Sequence, residues 1–281
     1  MVTSEYAEFP FRITFENNTM SYVKSFDGTS LWYEVHGHAG GTPVLLIAGN
    51  ACDHAVWNYV LADFSAERQV IVFDHRGTGK SDDHFPESWS TRDFAKDASA
   101  VLQAAGVKHA HIYGHSMGGR VAQWLATDRP DVTLSLILGA TSIGEKHGIP
   151  LTAATTKAMR DNDSVQLMAM CYPDDWVMAH PEEAMSGAPN PRSAEAFQAH
   201  IRASGEHDAW EIASLINAPT LVIHGSDDGI TPSGNAGILA ARIPGACLHM
   251  LEKARHVYWA GHPEVNIIIS EFMKEAERLK P

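Results

Sequence analysis

Short apolar runs, many of them β-branched, alternate along this chain with segments in which apolar residues recur at helical spacing. The runs that predict buried strands are Val44–Ile47, Val70–Phe73, His111–Tyr113, Leu134–Leu138, Leu221–Ile223 and Cys247–Leu251. The helical stripes include one from Phe94 to Ala105 and a closing amphipathic one from Val265 to Leu279. Strands that alternate with helices predict an α/β fold, in which a mostly parallel sheet is covered by helices on both faces.

Two regions interrupt this alternation. Residues 20–36 hold two strand-like segments around an Asp-Gly dipeptide, which favours a hairpin turn. Residues 143–210 show no buried-strand pattern, are rich in Ala, Met and His, and are divided by prolines into short helical segments. We therefore expect residues 1–142 and 211–281 to form one core. Residues 143–210 are predicted to be a helical cap, or lid, inserted between two strands of that core.

Composition narrows the class of protein. The 281 residues suit one large domain, and a formal net charge of −13 repels the phosphate backbone of nucleic acid. Three cysteines are too few for a disulfide framework and predict reduced thiols. The N-terminal residues lack the basic start and apolar run of a signal peptide, and no apolar stretch reaches the roughly 20 residues of a membrane span. We expect a soluble cytoplasmic protein with no nucleic acid or membrane partner.

The strongest candidate for chemistry is Ser116. Residues 114–118 read Gly-His-Ser-Met-Gly, a G-x-S-x-G pattern that directly follows a predicted strand and precedes a predicted helix. Such a serine sits on a sharp strand-to-helix turn, where side chains two residues before and after it would clash. The N-terminus of the following helix also points its positive end at the site. The pattern therefore predicts a nucleophilic serine.

A nucleophilic serine needs a base, and the base needs an acid that orients it. Residues 224–232 read His-Gly-Ser-Asp-Asp-Gly-Ile-Thr-Pro and directly follow a predicted strand, so this loop supplies the acid. His256 follows the next strand-like run and supplies the base. The resulting chain order is serine, acid, histidine, as in one established type of triad.

These motifs together resemble the α/β-hydrolase superfamily, and the resemblance covers nearly the whole chain. Residues 74–82, Asp-His-Arg-Gly-Thr-Gly-Lys-Ser-Asp, are similar to the family's D-x-R-G-x-G-x-S loop. Residues 225–232 match its G-x-x-D-x-x-x-P acid loop. The resemblance implies an α/β-hydrolase fold with a mostly parallel, eight-stranded sheet and a helical cap insertion.

The resemblance also implies roles for individual residues. The family's acid stands three residues after the glycine of the acid loop, which selects Asp228, with Ser116 as nucleophile and His256 as base. One oxyanion-hole donor is the backbone N–H after the nucleophile, here Met117. The other lies in the loop after the third strand, where the family's H-G-x reads Ala-Gly-Asn and the donor is Asn50. Because alanine replaces the usual histidine, the sequence does not indicate how this loop is anchored.

Other chemistries fit the sequence less well. The Gly-Lys-Ser at residues 79–81 would need a glycine at position 74 to form a phosphate-binding loop, and that residue is Asp74. Sixteen histidines include no H-E-x-x-H pattern and no paired cysteines accompany them, so no metal is expected. His109 and His111 are interpreted as hydrogen-bonded or exposed side chains. An aspartate nucleophile would indicate a dehalogenase or an epoxide hydrolase, and Ser116 argues against both.

We therefore expect a hydrolase that cleaves a small to medium, largely apolar carboxylic ester or lactone through an acyl-enzyme, without a cofactor. C–C bond hydrolysis beside a ketone, cofactor-free haloperoxidase or perhydrolase activity, and a non-enzymatic small-molecule binding role on the same fold stay open as alternatives. The substrate is expected to contact Ala51, His115, Trp176 and Met178, the last two on the cap. The expected partner is a small-molecule substrate, and a homodimer stays open.

Overall fold

An eight-stranded sheet forms the centre of the computed structural model, which describes residues 19–38, 40–83, 88–161 and 163–279. The strands lie in the order β1-β2-β4-β3-β5-β6-β7-β8. Their bounds are β1 Thr19–Lys24, β2 Ser30–His36, β3 Val44–Ile47, β4 Val70–Phe73, β5 Ala110–His115, β6 Thr133–Gly139, β7 Thr220–Gly225 and β8 Cys247–Leu251. Strand β2 pairs antiparallel with β1 and β4, and all other pairs are parallel. The predicted mostly parallel α/β sheet is confirmed.

The strand sequences explain their places in the sheet. Every residue of β3 and β4 is buried, as expected for parallel strands covered on both faces. The antiparallel hairpin of β1 and β2 turns at the predicted Asp-Gly dipeptide. Gly28 has a φ of +90°, which suits glycine, and the Thr29 N–H donates to the Asp27 carboxylate at 3.0 Å.

Helices cover both faces of the sheet. They are α1 Asn58–Ser65, α2 Thr91–Ala104, α3 Met117–Asp128, α10 Gly234–Arg242 and α11 Glu264–Arg278, with a short 3₁₀ turn at His54–Trp57 before α1. One apolar cluster packs α2 and α3 against the sheet, and a second packs α1 and α11 against the opposite face. None of the helices in the described part of the chain combines the length and the apolar character that crossing a membrane requires.

The stretch between β6 and β7 holds further helices and lies where the cap was predicted. They are α4 Ala153–Asp161, α5 Ser164–Cys171, α6 Asp174–Ala179, α7 Pro181–Ser186, α8 Ala194–Gly205 and α9 Trp210–Ala213. Backbone hydrogen bonds join this stretch to the loop after β4, where the Gly79 N–H donates to Asn190 and the Arg192 N–H donates to Gly77. That residues 143–210 act as a separate cap stays a prediction.

Candidate active site

Ser116 occupies a strained turn between β5 and α3. Its backbone has φ 57° and ψ −122°, a conformation that costs on the order of 1–3 kcal/mol in a residue with a side chain. A Cβ at Gly114 would overlap the Gly118 carbonyl, and a Cβ at Gly118 would overlap the Ile47 carbonyl of β3. The Thr141 hydroxyl donates to the Ser116 carbonyl at 2.7 Å and helps to hold the turn. The packing therefore explains both glycines of the G-x-S-x-G pattern.

Asp228 and His256 form a hydrogen-bonded pair near this turn. The His256 Nδ1 lies 2.8 Å from Asp228 Oδ2, and the Ile230 and Thr231 N–H groups donate to Asp228 Oδ1 at 2.8 and 2.9 Å. His224 Nε2 is a further neighbour at 3.0 Å. Burial alone would raise the pKa of Asp228, but the His256 and His224 imidazoles hold it well below its usual range. Ionised Asp228 accepts the Nδ1–H of His256, which leaves Nε2 free to accept a proton.

The structure separates the predicted acid and base from the neighbouring alternatives. Asp227 is exposed and accepts the Ser226 hydroxyl at 2.7 Å, away from the imidazole. His262 lies at the start of α11, where it pairs with the exposed Glu264 at 3.1 Å. Only Asp228 of the two loop carboxylates contacts the His256 ring within the described chain.

Ser116 and His256 line the same cavity, which has a volume of about 670 Å³. In the described part of the chain, no direct hydrogen bond joins the Ser116 and His256 side chains. Catalytic hydrogen bonds are often long in active sites without substrate. Most of the wall is apolar and comes from the stretch between β6 and β7; its members include Met159, Leu167, Met168, Tyr172, Phe197 and Ile201. The arrangement brings a serine and an imidazole to one apolar chamber.

The two predicted oxyanion donors lie on either side of the serine. Met117 is the first residue of α3, and Asn50 lies in the loop after β3. This loop packs directly on the serine turn, because a Cβ built at Gly49 would lie 3.3 Å from Ser116 Cβ. Neither the Met117 nor the Asn50 N–H has an acceptor within the described part of the chain. Two unpaired N–H groups beside a serine can bind the oxyanion of a tetrahedral intermediate.

Contacts that the sequence did not indicate anchor the loop after β3. His75 Nε2 lies 3.1 Å from the Ala48 carbonyl, and the Ala51 N–H lies 3.2 Å from His200 Nδ1. The Ala51 carbonyl accepts the Asn190 N–H at 2.8 Å. These contacts hold Ala51 at a φ of 55°, which is unusual for a residue other than glycine. For His200 the only sequence signal was a histidine within a stretch of helical spacing, and such a histidine by itself indicates packing.

Three of the four predicted substrate contacts do not line the cavity. Ala51 is fully buried behind the loop. Trp176 stacks between Tyr172 and His180, with ring centroids 5.3 and 4.7 Å away, and does not line the cavity. Met178 is 84% exposed, because residues two apart on a helix face opposite directions and Trp176 takes the inner side of α6. Tyr172 reaches the cavity instead, with Trp176 behind it.

His115 does line the cavity, but its ring already has a partner. Its Nε2 lies 3.0 Å from the His256 carbonyl, so Nε2 carries the hydrogen and donates. Burial and the nearby His256 lower the pKa of His115 to about 3. A neutral ring that is bonded to the backbone of the base supports His256 and does not act as a second base.

The residues best placed for a metal already have protein partners. Asp53, His54 and Asp74 approach one another closely. The Asp74 carboxylate accepts the His54 N–H, the His54 ring and the Lys80 N–H, and Asp53 accepts the Asn190 amide. Through these hydrogen bonds the cluster connects the loops around the site to one another.

Comparisons with known proteins agree with this geometry. A family model described as alpha/beta hydrolase fold matches residues 42–162. A protein named putative carbamate hydrolase RutD from Azorhizobium caulinodans is 32% identical over 261 residues, which cover 88% of this chain and 95% of that protein. The solved esterase RhEst1 from Rhodococcus sp. ECU1013 is 26% identical with a TM-score of 0.76, over 91% of this chain and 98% of that one. Est816, described as an N-acyl homoserine lactone degrading enzyme, is 26% identical with a TM-score of 0.75, over 90% and 100%.

Proposed function

This chain is a hydrolase of the α/β-hydrolase family, and we propose that it cleaves a small to medium, largely apolar carboxylic ester or lactone with Ser116 as nucleophile. One observation carries the proposal. Ser116, Asn50 and His256 line a single, mostly apolar cavity, with Asp228 bonded to His256 and the Met117 N–H next to Ser116 in the chain.

The geometry supports an acyl-enzyme mechanism. Ser116 Oγ attacks the substrate carbonyl carbon while His256 Nε2 takes its proton, and the carbonyl oxygen becomes an oxyanion between the Asn50 and Met117 N–H groups. Collapse breaks the bond to the leaving oxygen, which receives the proton from His256. Water then attacks the acyl-serine through the same histidine and releases the carboxylic acid. In a lactone the leaving oxygen stays tethered, and the product is a hydroxy acid.

The wall of the cavity supports the substrate class. Among the described lining residues other than the catalytic pair, Arg160 alone carries a formal charge, and it pairs with Asp161 at 2.9 Å. Apolar side chains, among them Met159, Leu167, Met168 and Phe197, form most of the remaining wall and favour an apolar acyl or lactone group. The two solved neighbours described as an esterase and a lactone-degrading enzyme support the same choice.

Carbamate hydrolysis is a second candidate, favoured by the name of the 32% identical relative. The same serine chemistry would apply at a carbamate carbonyl. A cavity of about 670 Å³ with an apolar wall is much larger than a small carbamate needs, so we rank esters and lactones first.

Labelling and substrate panels test the proposal together. A fluorophosphonate should add once to the intact protein, on the peptide that holds Ser116, and not to Ser116→Ala. The partly exposed Ser214 provides a control, because Ser214→Ala should label like the wild type. Purified protein is then assayed with p-nitrophenyl esters from acetyl to dodecanoyl, with lactones of increasing side-chain length, and with p-nitrophenyl carbamates.

Each outcome of these assays has a definite meaning. Turnover that peaks at a medium acyl chain or lactone, and that Ser116→Ala abolishes, supports the proposal. Turnover of carbamates above all esters and lactones would select the second candidate. Labelling without turnover of any of the three classes would refute ester, lactone and carbamate hydrolysis. C–C bond cleavage would then be the activity to test. Labelling at another residue would refute Ser116 as nucleophile.

A further inference from the structure

The loop after β3 carries the Asn50 N–H on the peptide group between Gly49 and Asn50. The two neighbouring peptide groups are both held by histidine side chains. His75 contacts the Ala48 carbonyl on one side, and His200 contacts the Ala51 N–H on the other. The central peptide group is itself held by the Cys52 N–H, which donates to the Gly49 carbonyl at 3.3 Å, and the two flanking peptides further restrict the direction of its N–H.

His200 can make its contact in only one protonation state. Its Nε2 lies 2.8 Å from the Arg76 carbonyl, which can only accept, so Nε2 carries a hydrogen. Its Nδ1 lies 3.2 Å from the Ala51 N–H, which can only donate, so Nδ1 carries none. The two contacts together require the neutral ring with hydrogen on Nε2.

The surroundings of His200 maintain this state. The side chain is fully buried on α8, with the Phe94 ring 4.9 Å away and the Trp89 and His75 rings each 5.9 Å away. Burial, and then the neighbouring His75, lower the pKa of His200 to about 3. Packing on three sides leaves the ring little freedom to rotate away from Ala51.

We propose that His200, from the helical stretch between β6 and β7, is a positioning residue for the oxyanion hole: its Nδ1 holds the Ala51 N–H and thereby aims the Asn50 N–H at the reacting carbonyl. The inference rests on the proposed function, because it assigns a purpose to the Asn50 donor. Since the loop carries Ala48 where the family's histidine would stand, its support comes from histidines elsewhere in the chain. His200 touches no substrate and acts through the loop alone.

Two matched substitutions separate this role from mere packing. The side-chain oxygen of His200→Asn replaces Nδ1 and can accept the Ala51 N–H, but it cannot reach the Arg76 carbonyl. The amide of His200→Gln replaces Nε2 and can donate to Arg76, but it leaves the Ala51 N–H without an acceptor. Both changes remove the same ring. His207→Gln is the control, because His207 is also buried and follows α8, yet it bonds to Thr91 outside the cavity.

We measure kcat and KM for the preferred ester, the rate of Ser116 phosphonylation, and the melting midpoint of each variant. His200→Gln should lower kcat and the phosphonylation rate by about tenfold or more, since a misaimed donor loses part of the roughly 10²–10³-fold that a deleted one costs. KM should change little. His200→Asn should recover kcat to within about threefold of wild type, and His207→Gln should lower only the melting midpoint.

Equal losses of kcat in the two His200 variants, or losses that follow the melting midpoint in all three variants, would overturn the inference. If neither His200 variant folds, ¹⁵N NMR of the wild type decides. An unprotonated Nδ1 coupled to the Ala51 N–H supports the role, and a protonated Nδ1 refutes it. Failure of the proposed function is distinguishable, because the wild type would then turn over no ester or lactone, whereas failure of this inference leaves wild-type turnover intact.

Discussion

Replacing Asp228 with asparagine is the sharpest test of the catalytic pair, because it removes a charge and almost no volume. The Asp228 side chain is fully buried and has four polar neighbours: the His256 and His224 rings and the N–H groups of Ile230 and Thr231. The asparagine Oδ1 can still accept both N–H groups. Its Nδ2 must then face His256 Nδ1, where the carboxylate oxygen stood.

The size of the effect follows from the tautomer of His256. An amide Nδ2 only donates, so His256 Nδ1 must accept and its hydrogen moves to Nε2. A ring with hydrogen on Nε2 cannot take the proton of Ser116, and in a serine protease triad the same change costs about 10⁴ in kcat. Because the neutral amide also cannot stabilise the imidazolium that forms, we expect Asp228→Asn to lower turnover by about 10³–10⁴-fold. The retained backbone contacts should keep the fold intact.

Asp227→Asn is the matched control, since it makes the same chemical change one residue away. Asp227 is exposed and its carboxylate contacts only the Ser226 hydroxyl among the described residues, so its substitution should change kcat by less than about threefold. Steady-state kinetics, circular dichroism and the melting midpoint are compared for both variants. A larger loss in Asp227→Asn than in Asp228→Asn would refute the assignment. Nearly full activity in Asp228→Asn would refute the tautomer argument itself.

Five further substitutions test other parts of the structure. Gly118→Ala should prevent folding or abolish labelling of the serine, as seen by circular dichroism and phosphonate mass spectrometry, because its Cβ would overlap the backbone of β3. Asn50→Ala should keep kcat within about fivefold if only its N–H binds the oxyanion, whereas a loss of about a hundredfold would show that the side-chain amide contributes. Phe197→Ala should shift the preferred acyl chain length, and the exposed Met178→Ala should not. Burial would raise the pKa of Asp27, but its ion pair with Arg76 lowers that pKa from 3.8 to about 2. The ionised carboxylate should therefore stabilise the fold above pH 3.8. The difference in the free energy of unfolding between wild type and Asp27→Asn should vanish as the pH falls through about 2.

The features that could be predicted from the sequence are those that depend on residues close to one another in the chain. Strands β3, β4 and β8 have the predicted bounds. Strands β3 and β4 are continuous apolar runs because they are buried, whereas β8 is a largely exposed edge strand. The serine turn was predicted for an equally local reason, since Gly114 and Gly118 are required by contacts within a few residues and with the adjacent strand. The resemblance to the family's acid loop selected Asp228 over Asp227, and in the structure the Asp228 carboxylate contacts the His256 imidazole.

The features that could not be predicted depend on contacts between distant segments. Helix α10 lacks a strong apolar stripe in its sequence and was not assigned. Which side of α6 faces inward is decided by stacking of Trp176 on Tyr172, so Met178 could not be recognised as exposed from apolarity alone. The contact of His200 with Ala51 spans 149 residues of sequence and leaves no local pattern.

The stretch between β6 and β7 is bonded to the site around residues 190–192 and α8, whereas α5 buries little of its surface. Residues 190–192 bond to the loop after β4 and to Ala51, and α8 contributes the buried His200. In contrast α5 has no buried residue, although its Leu167 and Met168 line the cavity. Because opening a wall costs least where little surface is buried, we expect substrate to enter by displacement of the N-terminal part of α5, whose C-terminal end is tied to the core by the Arg255 side chain and the Val257 N–H. Substitutions there should alter KM, whereas loss of the His200 side chain from α8 should alter kcat, since His200 reaches the loop that carries the oxyanion donor.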